Sequence, residues 1–345
     1  LFVYASKVGV RFRRIRDPVQ VEDVAKCPEG IRDFYVEQFD RMFDGSTKNK
    51  LFDAVAMIVV SRAPLHTAAL RTFLELDREE LNAVLEQLSV FFPVRGDCLH
   101  VYHKSLTDWL FDDSNRRYFI DTSVYHTRLS ELCAKHVDAV RDLFAEHSAG
   151  VLSEALRFSL THGVYHSVGA GKRVHSDARR MLLRPDWLIT RAVLGEALSM
   201  RQDAELYLAA STSVARDDAV YYLMRCLGLA LTGVISQPKQ ICGQLVGRLA
   251  AVEEDNDDIA TLLSGVRSFR GYEWWCPMNT SALTPVTDPC VAVYGSSHVI
   301  RSVAWGPRGD YAECVSIAER NEVIIWNSST GERLAVMEGH SDEVR

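Results

Sequence analysis

Apolar residues recur at helical spacing over most of this chain and change to alternation only near its end. From 31 to 43, Ile31, Phe34, Tyr35, Phe39 and Met42 share one side of a helix. The clearest stripe is Leu129, Leu132, Cys133, His136, Val137, Val140, Leu143 and Phe144, which keeps the i, i+3, i+4 pattern for four turns. The same spacing predicts helices around 151–166, 175–183, 188–198, 202–211, 216–234 and 238–251. Several are joined by short polar or Gly turns, the pattern of an antiparallel helical array. It is irregular, because no fixed period repeats. At the start, Leu1–Val10 is apolar. Arg11, Arg13, Arg14 and Arg16 then read as a solvated helix end before Pro18. Gly45–Lys50 reads as a polar turn, and the acidic run Glu253–Asp258 as a solvated loop.

Residues 51–112 carry a more specific order. A helix over 51–61 stops at Pro64, and a second runs from about Thr67 to Leu74. Asp77, with Glu80 three residues on, predicts a capping-box start for a third, whose face is Leu81, Val84, Leu85 and Leu88. Val90–Val94 and Cys98–Tyr102 read as strands across the turn Arg95-Gly96-Asp97. Three helices and a hairpin are the order of a winged helix. His103-Lys104-Ser105 then leads into a short helix with Leu106, Trp109 and Leu110.

After Trp274–Pro289, a Pro/Thr/Ser-containing linker, the period falls to about two. Strands are predicted at 299–305, 311–316, 322–327 and 333–337, with turns at 307–310 and 328–331. Trp326-Asn327 closes an apolar run, and Gly339-His340 follows thirteen residues after the Trp. This is the punctuation of a WD repeat, in which four strands make one propeller blade. Ser316 and Trp326 match the positions whose hydrogen bonds tie such a blade, and His298 takes the Gly-His place, preceded by Ser297. Arg320 stands where the usual Asp would be, so packing of Val303, Trp305, Val315, Ile324 and Trp326 is expected to hold the blade. A single blade leaves its edges open. The chain, which starts at Leu1 without Met and stops as a second repeat begins, is expected to be a segment of a longer protein.

Composition narrows the function classes. The 345 residues are 47% hydrophobic and 25% charged, a soluble globular balance that suggests two or three domains. Net charge is −7, which gives no push toward nucleic acid or anionic membrane. The longest apolar stretch, Leu223–Ile235, is broken by Arg225 and falls short of a bilayer span. The eight cysteines include no C-x-x-C, which points to free thiols in a reducing compartment. A cytoplasmic location follows, with no metal and no membrane partner.

Other constellations lead nowhere. Gly169-Ala170-Gly171-Lys172-Arg173 lacks the first Gly and the final Ser or Thr of a phosphate-binding loop, with His166 and Arg173 in those places. His162 and His166, with His175 nearby, have no acidic or Cys ligand at matching spacing. A winged helix can bind DNA, but Arg71 is the only fixed cation of its second helix and the third carries Glu79, Glu80 and Glu86. No catalytic residue is assigned, and no enzyme activity is expected of this chain.

The order of these parts resembles the segment between the NACHT-type ATPase core and the propeller of STAND-class NACHT–WD-repeat signalling proteins, of the apoptosome-scaffold kind. Leu1-Phe2-Val3-Tyr4-Ala5 with Phe34-Tyr35, Ala63-Pro64-Leu65, Leu88–Tyr102 and His103–Leu110 carry it. So do Ala178–Leu188, Gln237–Leu249 and the final repeat. The resemblance implies a fold that is mainly α with a small winged-helix domain, a helical array and a partial β-propeller of one WD blade at the C-terminus. It divides the chain into the end of a NACHT-type module (1–45), a winged helix (46–120), the array (121–275), a linker (276–289), the blade (290–338) and the start of the next repeat (339–345). In the family, the winged-helix His contacts the β-phosphate of ADP, and His103 takes that place, followed by Lys104 where many relatives have Asp. The implied function is a regulatory and coupling segment that links an upstream nucleotide module to a downstream propeller. ADP or ATP would bind the longer protein, with protein partners on propeller and array, and with homo-oligomers of the longer protein. The rival reading is a helical-plus-WD interaction scaffold that needs no nucleotide.

Overall fold

The computed structural model describes residues 30–43, 48–138, 140, 152–171, 175–211, 218–278, 283–288, 300–305, 313–318, 322–327 and 333–337. These are mainly helical, with two small antiparallel sheets. Two units emerge: residues 1–133 with 152–159, and residues 134–151 with 160–345. The expected apolar start, the arginine run, His298, Gly339 and His340 lie outside the described residues.

In the first unit, α1 (Ile31–Met42) buries Phe34, Tyr35 and Phe39. Helix α2 (Lys48–Val60) begins inside the expected polar turn, and its Ala54–Val60 run is buried all round. Strand β1 (Leu65–His66), which the sequence pattern did not predict, leads into α3 (Thr67–Phe73). Helix α4 (Arg78–Leu88) opens on a full capping box: Asp77 Oδ1 accepts from Glu80 N at 2.8 Å, and Glu80 Oε2 accepts from Asp77 N at 3.0 Å. Strands β2 (Val94–Arg95) and β3 (Cys98–Leu99) are shorter than expected, because Phe91 and Phe92 still bond back to the Leu88 carbonyl. Pairing continues irregularly through His100 N to Pro93 O and Tyr102 N to Phe91 O. Gly96 and Asp97 both have positive φ, 55° and 61°, the two-residue turn that matches strand twist. Strand order is β1-β3-β2, with Leu65 opposite Leu99 and Val94 opposite Leu99. Helix α5 (Lys104–Leu110) completes this order.

The core of this unit is aliphatic with an aromatic cluster at the base of α1. Phe39 meets Phe43, Phe91, Trp109 and Tyr118 at ring-centroid distances of 5.6, 5.4, 5.0 and 5.2 Å. The expected division between residues 45 and 46 therefore falls inside one continuous core, which α1 shares with α2–α5.

Helices α6 (Thr122–Asp138) and α7 (Glu154–Gly169) each contribute residues to both units. The second unit continues with α8 (His175–Leu182), α9 (Pro185–Val193), α10 (Ala197–Ala210), α11 (Asp218–Ser236), a 3-10 turn at Pro238–Gln240, α12 (Ile241–Leu249) and α13 (Asp257–Ser268). Helix α10 packs on α11, α11 on α12, and α12 on α13. The expected helix over 188–198 is instead broken at Gly195, whose φ is 83°. Glu196 N bonds to Arg191 O and Gly195 N to Ala192 O, closing α9 in a Schellman turn. The acidic run is not merely a loop. Asn256 Oδ1 accepts from Ile259 N, and Asp257 and Asp258 then open α13, where negative charge suits the helix dipole. By length and composition, α11 could cross a bilayer, but 56% of it is buried within the protein, as in a core helix.

The expected linker is fastened down. Arg248 Nη1 donates to Thr284 O at 2.8 Å, Arg225 Nε to Val286 O at 2.7 Å, and Val286 N to Arg248 O at 3.2 Å. A Cβ at position 243 would lie 2.7 Å from the Trp275 carbonyl oxygen, so Gly243 is what lets this segment lie on α12. Gly243→Ala is expected to cost about 1–3 kcal/mol through overpacking. Gly233→Ala, where a Cβ would meet nothing nearer than 3.4 Å, should be neutral or gain up to about 1 kcal/mol of helix propensity. Amide exchange at Val286 in the two variants checks the contrast: equal protection would show that the close approach does not hold the segment.

Beyond it, β4 (Ile300–Trp305), β5 (Glu313–Ala318), β6 (Glu322–Asn327) and β7 (Arg333–Met337) form an antiparallel meander in sequence order. Ser316 lies opposite both Val303 and Ile324, and Trp326 opposite both Cys314 and Arg333.

Candidate functional site

His103 is the residue on which the sequence reading converged, and local chemistry fixes its role in the fold. It ends the extended stretch after β3 and caps α5. Its Nδ1 accepts from Ser105 N at 3.1 Å. A backbone N–H can only donate, so Nδ1 carries a lone pair and the neutral ring bears its proton on Nε2. The Ser105 hydroxyl lies 2.8 Å from the same Nδ1, and Tyr35 Oη lies 2.8 Å from Ser105 Oγ. With Nδ1 an acceptor, the order of donation is set: Tyr35 O–H to Ser105 Oγ, and Ser105 O–H to His103 Nδ1. Tyr35 is 2% exposed, and burial raises its phenol above the ordinary value, so it stays protonated as this order requires. His103 itself is exposed, and its Nε2 has no partner among the described residues. The arrangement can donate one hydrogen bond to an acceptor from outside, with Lys104 exposed beside it.

His66 provides an internal comparison. It caps α3 in the same way, Nδ1 accepting from Ala68 N at 3.1 Å, but the residue two positions on has no hydroxyl. Capping alone therefore needs neither the serine nor the tyrosine.

The other candidates offer less. Gly169–Gly171 sits at the C-terminal end of α7, where carbonyls rather than N–H groups are presented, the opposite of a phosphate cradle. Lys172 and Arg173 lie outside the described residues. His162 and His166 lie on α7; the side chain of His175 is not described. Among the described residues no group of three His, Cys, Asp or Glu side chains is arranged to hold a metal ion. Ser316 and Trp326 stand in β5 and β6 as expected; their side chains are not described. Cys133 and Cys226 are pushed up to about 12 and Cys242 to about 11 by burial, so all three are thiols at neutral pH and poor nucleophiles. A cavity of about 400 Å³ is lined by Phe43, Asn49, Phe52, Asp53, Arg117 and Tyr118. Its charges are already engaged, Arg117 with Asp40 at 3.0 Å and Asp53 with Arg128 at 2.6 Å.

Sequence reasoning missed two constellations. One is the Tyr35–Ser105 link, whose partners lie 70 residues apart. The other is a buried ion network in the second unit, where Arg191 meets Asp203 at 2.7 Å and Glu196 at 2.9 Å. No sequence signal marks either one. Comparison of the chain with protein-family models and with curated proteins gives no match.

Proposed function

We propose that this chain is a regulatory and coupling segment of a STAND-type NTPase scaffold, and not an enzyme by itself. The observation that carries the reading is His103, exposed and held with Nδ1 committed to the fold, while its Nε2 donor has no partner among the described residues. A neutral imidazole in that tautomer suits a phosphate oxygen. The nucleotide itself would be bound mainly by an upstream phosphate loop. The helix–strand–helix–helix–hairpin order of α2–β3, as expected of a winged helix, and the β4–β7 meander, as expected of one WD blade, support this reading. In this reading the first unit senses ADP, and the helical array passes the state to a propeller that meets a protein partner in the cytoplasm. Nothing in the acidic α4 favours nucleic acid.

The His66 cap favours a second reading, a nucleotide-independent scaffold, because it shows that a histidine here can serve the fold alone. The two readings part on one experiment in the protein that includes its upstream module. His103→Ala is expected to speed ADP release about tenfold or more, since a charge-assisted hydrogen bond is worth about 1.5–3 kcal/mol. His66→Ala should leave release unchanged. If His103→Ala also leaves ADP release and oligomer distribution unchanged, the scaffold reading stands.

A further inference from the structure

We infer that Tyr35 and Ser105 are positioning residues that hold the His103 ring as a fixed Nε2–H donor and tie that donor to α1. The inference rests on the reading in which His103 meets a phosphate oxygen. An N-capping imidazole needs only the amide two residues on, as His66 shows with Ala68. His103 has more: a hydroxyl on the same Nδ1, and a buried phenol behind that hydroxyl. The backbone donor Ser105 N–H disfavours the alternative tautomer, in which Nδ1–H would face it and lose that bond; the Ser105 hydroxyl adds a second donor to the same nitrogen and fixes the orientation of the ring. The Nε2 proton is thus in place before any ligand arrives, and little ordering remains to be done on binding.

The far end of this chain of bonds is equally constrained. Tyr35 sits on α1, and its ring packs against Phe91 at 5.7 Å and Trp109 at 5.3 Å. Phe91 follows α4, and Trp109 lies on α5, the helix that His103 caps. The phenol therefore cannot shift without α1 shifting. A displacement of α1 would withdraw the Tyr35 hydroxyl, leave that of Ser105 free to rotate and weaken its hold on the ring. The site would then report the position of α1 as well as the presence of phosphate.

The test begins with the ring nitrogens of the chain labelled with 15N-histidine, where tautomers have distinct shifts. His103 should show an unprotonated Nδ1 and a protonated Nε2. Ser105→Ala should move the His103 Nδ1 shift through loss of its second donor, and Tyr35→Phe should move it less, with the Nε2–H tautomer kept and His66 unchanged, and Ser105→Thr should restore it. In the protein with its upstream module, Ser105→Ala and Tyr35→Phe should speed ADP release by about two- to tenfold, less than His103→Ala. Ring nitrogens unmoved in both variants, or an Nδ1–H tautomer at His103 in the unmodified chain, overturn the positioning inference whatever ADP does. Ring nitrogens that respond while His103→Ala leaves ADP release unchanged overturn the phosphate reading instead.

Discussion

Asp203→Ala is expected to destabilise the helical unit by about 3–5 kcal/mol, the cost of leaving a buried charge without its partner. Arg191 and Asp203 both have fully buried side chains, joined at 2.7 Å. Arg191 also donates to Glu196 at 2.9 Å and Ser199 Oγ at 2.9 Å, and its guanidinium lies 4.4 Å from the Trp187 ring centre. Thr161 Oγ1 holds Glu196 from the other side at 2.6 Å. A guanidinium does not escape by deprotonating, so truncation of Asp203 leaves it charged and short of one acceptor. Arg191→Met with Asp203→Leu removes the charges together and should recover most of the loss, because the desolvation penalty goes with them. Amide exchange through α9 and α10 measures both. A cost under about 1 kcal/mol for Asp203→Ala would mean that water reaches Arg191 and that the network is not dry.

What could be read from the sequence was local. Asp77 and Glu80 lie three residues apart and see each other in any helix that begins there, so their capping box was legible. The Arg95-Gly96-Asp97 turn was legible for the same reason, as were most of the amphipathic stripes; the end of the one over 129–144, at Leu143 and Phe144, lies outside the described residues. Strand β1 was not: two residues have no period, and Leu65 and His66 become a strand only because β3 pairs with them. The break at Gly195 was missed because the apolar spacing runs on past it, while the left-handed turn that ends α9 depends on the one Gly. Functional geometry lay at the far end of this scale. His103 was singled out by the resemblance to the family's winged-helix His, but Tyr35 reaches Ser105 beside it only through the packing of α1. The Arg191 network likewise assembles groups 5, 8 and 12 residues away from Arg191 around one buried cation.

Phe39→Ala should be the most damaging single change in the first unit, at about 3–5 kcal/mol for a buried ring lost to a cavity. Phe39 is fully buried and touches four rings that come from after α1, after α4, from α5 and from the segment following α5. Beside it, Asp40 accepts from the Tyr118 hydroxyl and pairs with Arg117, so the same turn of α1 is anchored by rings inside and charge outside. The Arg117–Asp40 pair is exposed and worth little alone, and the half-buried Tyr118 bond adds about 1 kcal/mol, which leaves the ring to decide. Phe39→Leu keeps most of the volume and should cost less than about 1.5 kcal/mol. Tyr35→Phe keeps every ring contact and should cost only about 0.5–1.5 kcal/mol, one hydrogen bond. Denaturant unfolding with amide exchange in α1 separates the three. Phe39→Ala should open α1 well before the β2–β3 hairpin, and should shift the His103 ring nitrogens as Tyr35→Phe does. If α1 opens and the His103 ring nitrogens do not change, the ring is held by Ser105 alone and α1 has no hand in it.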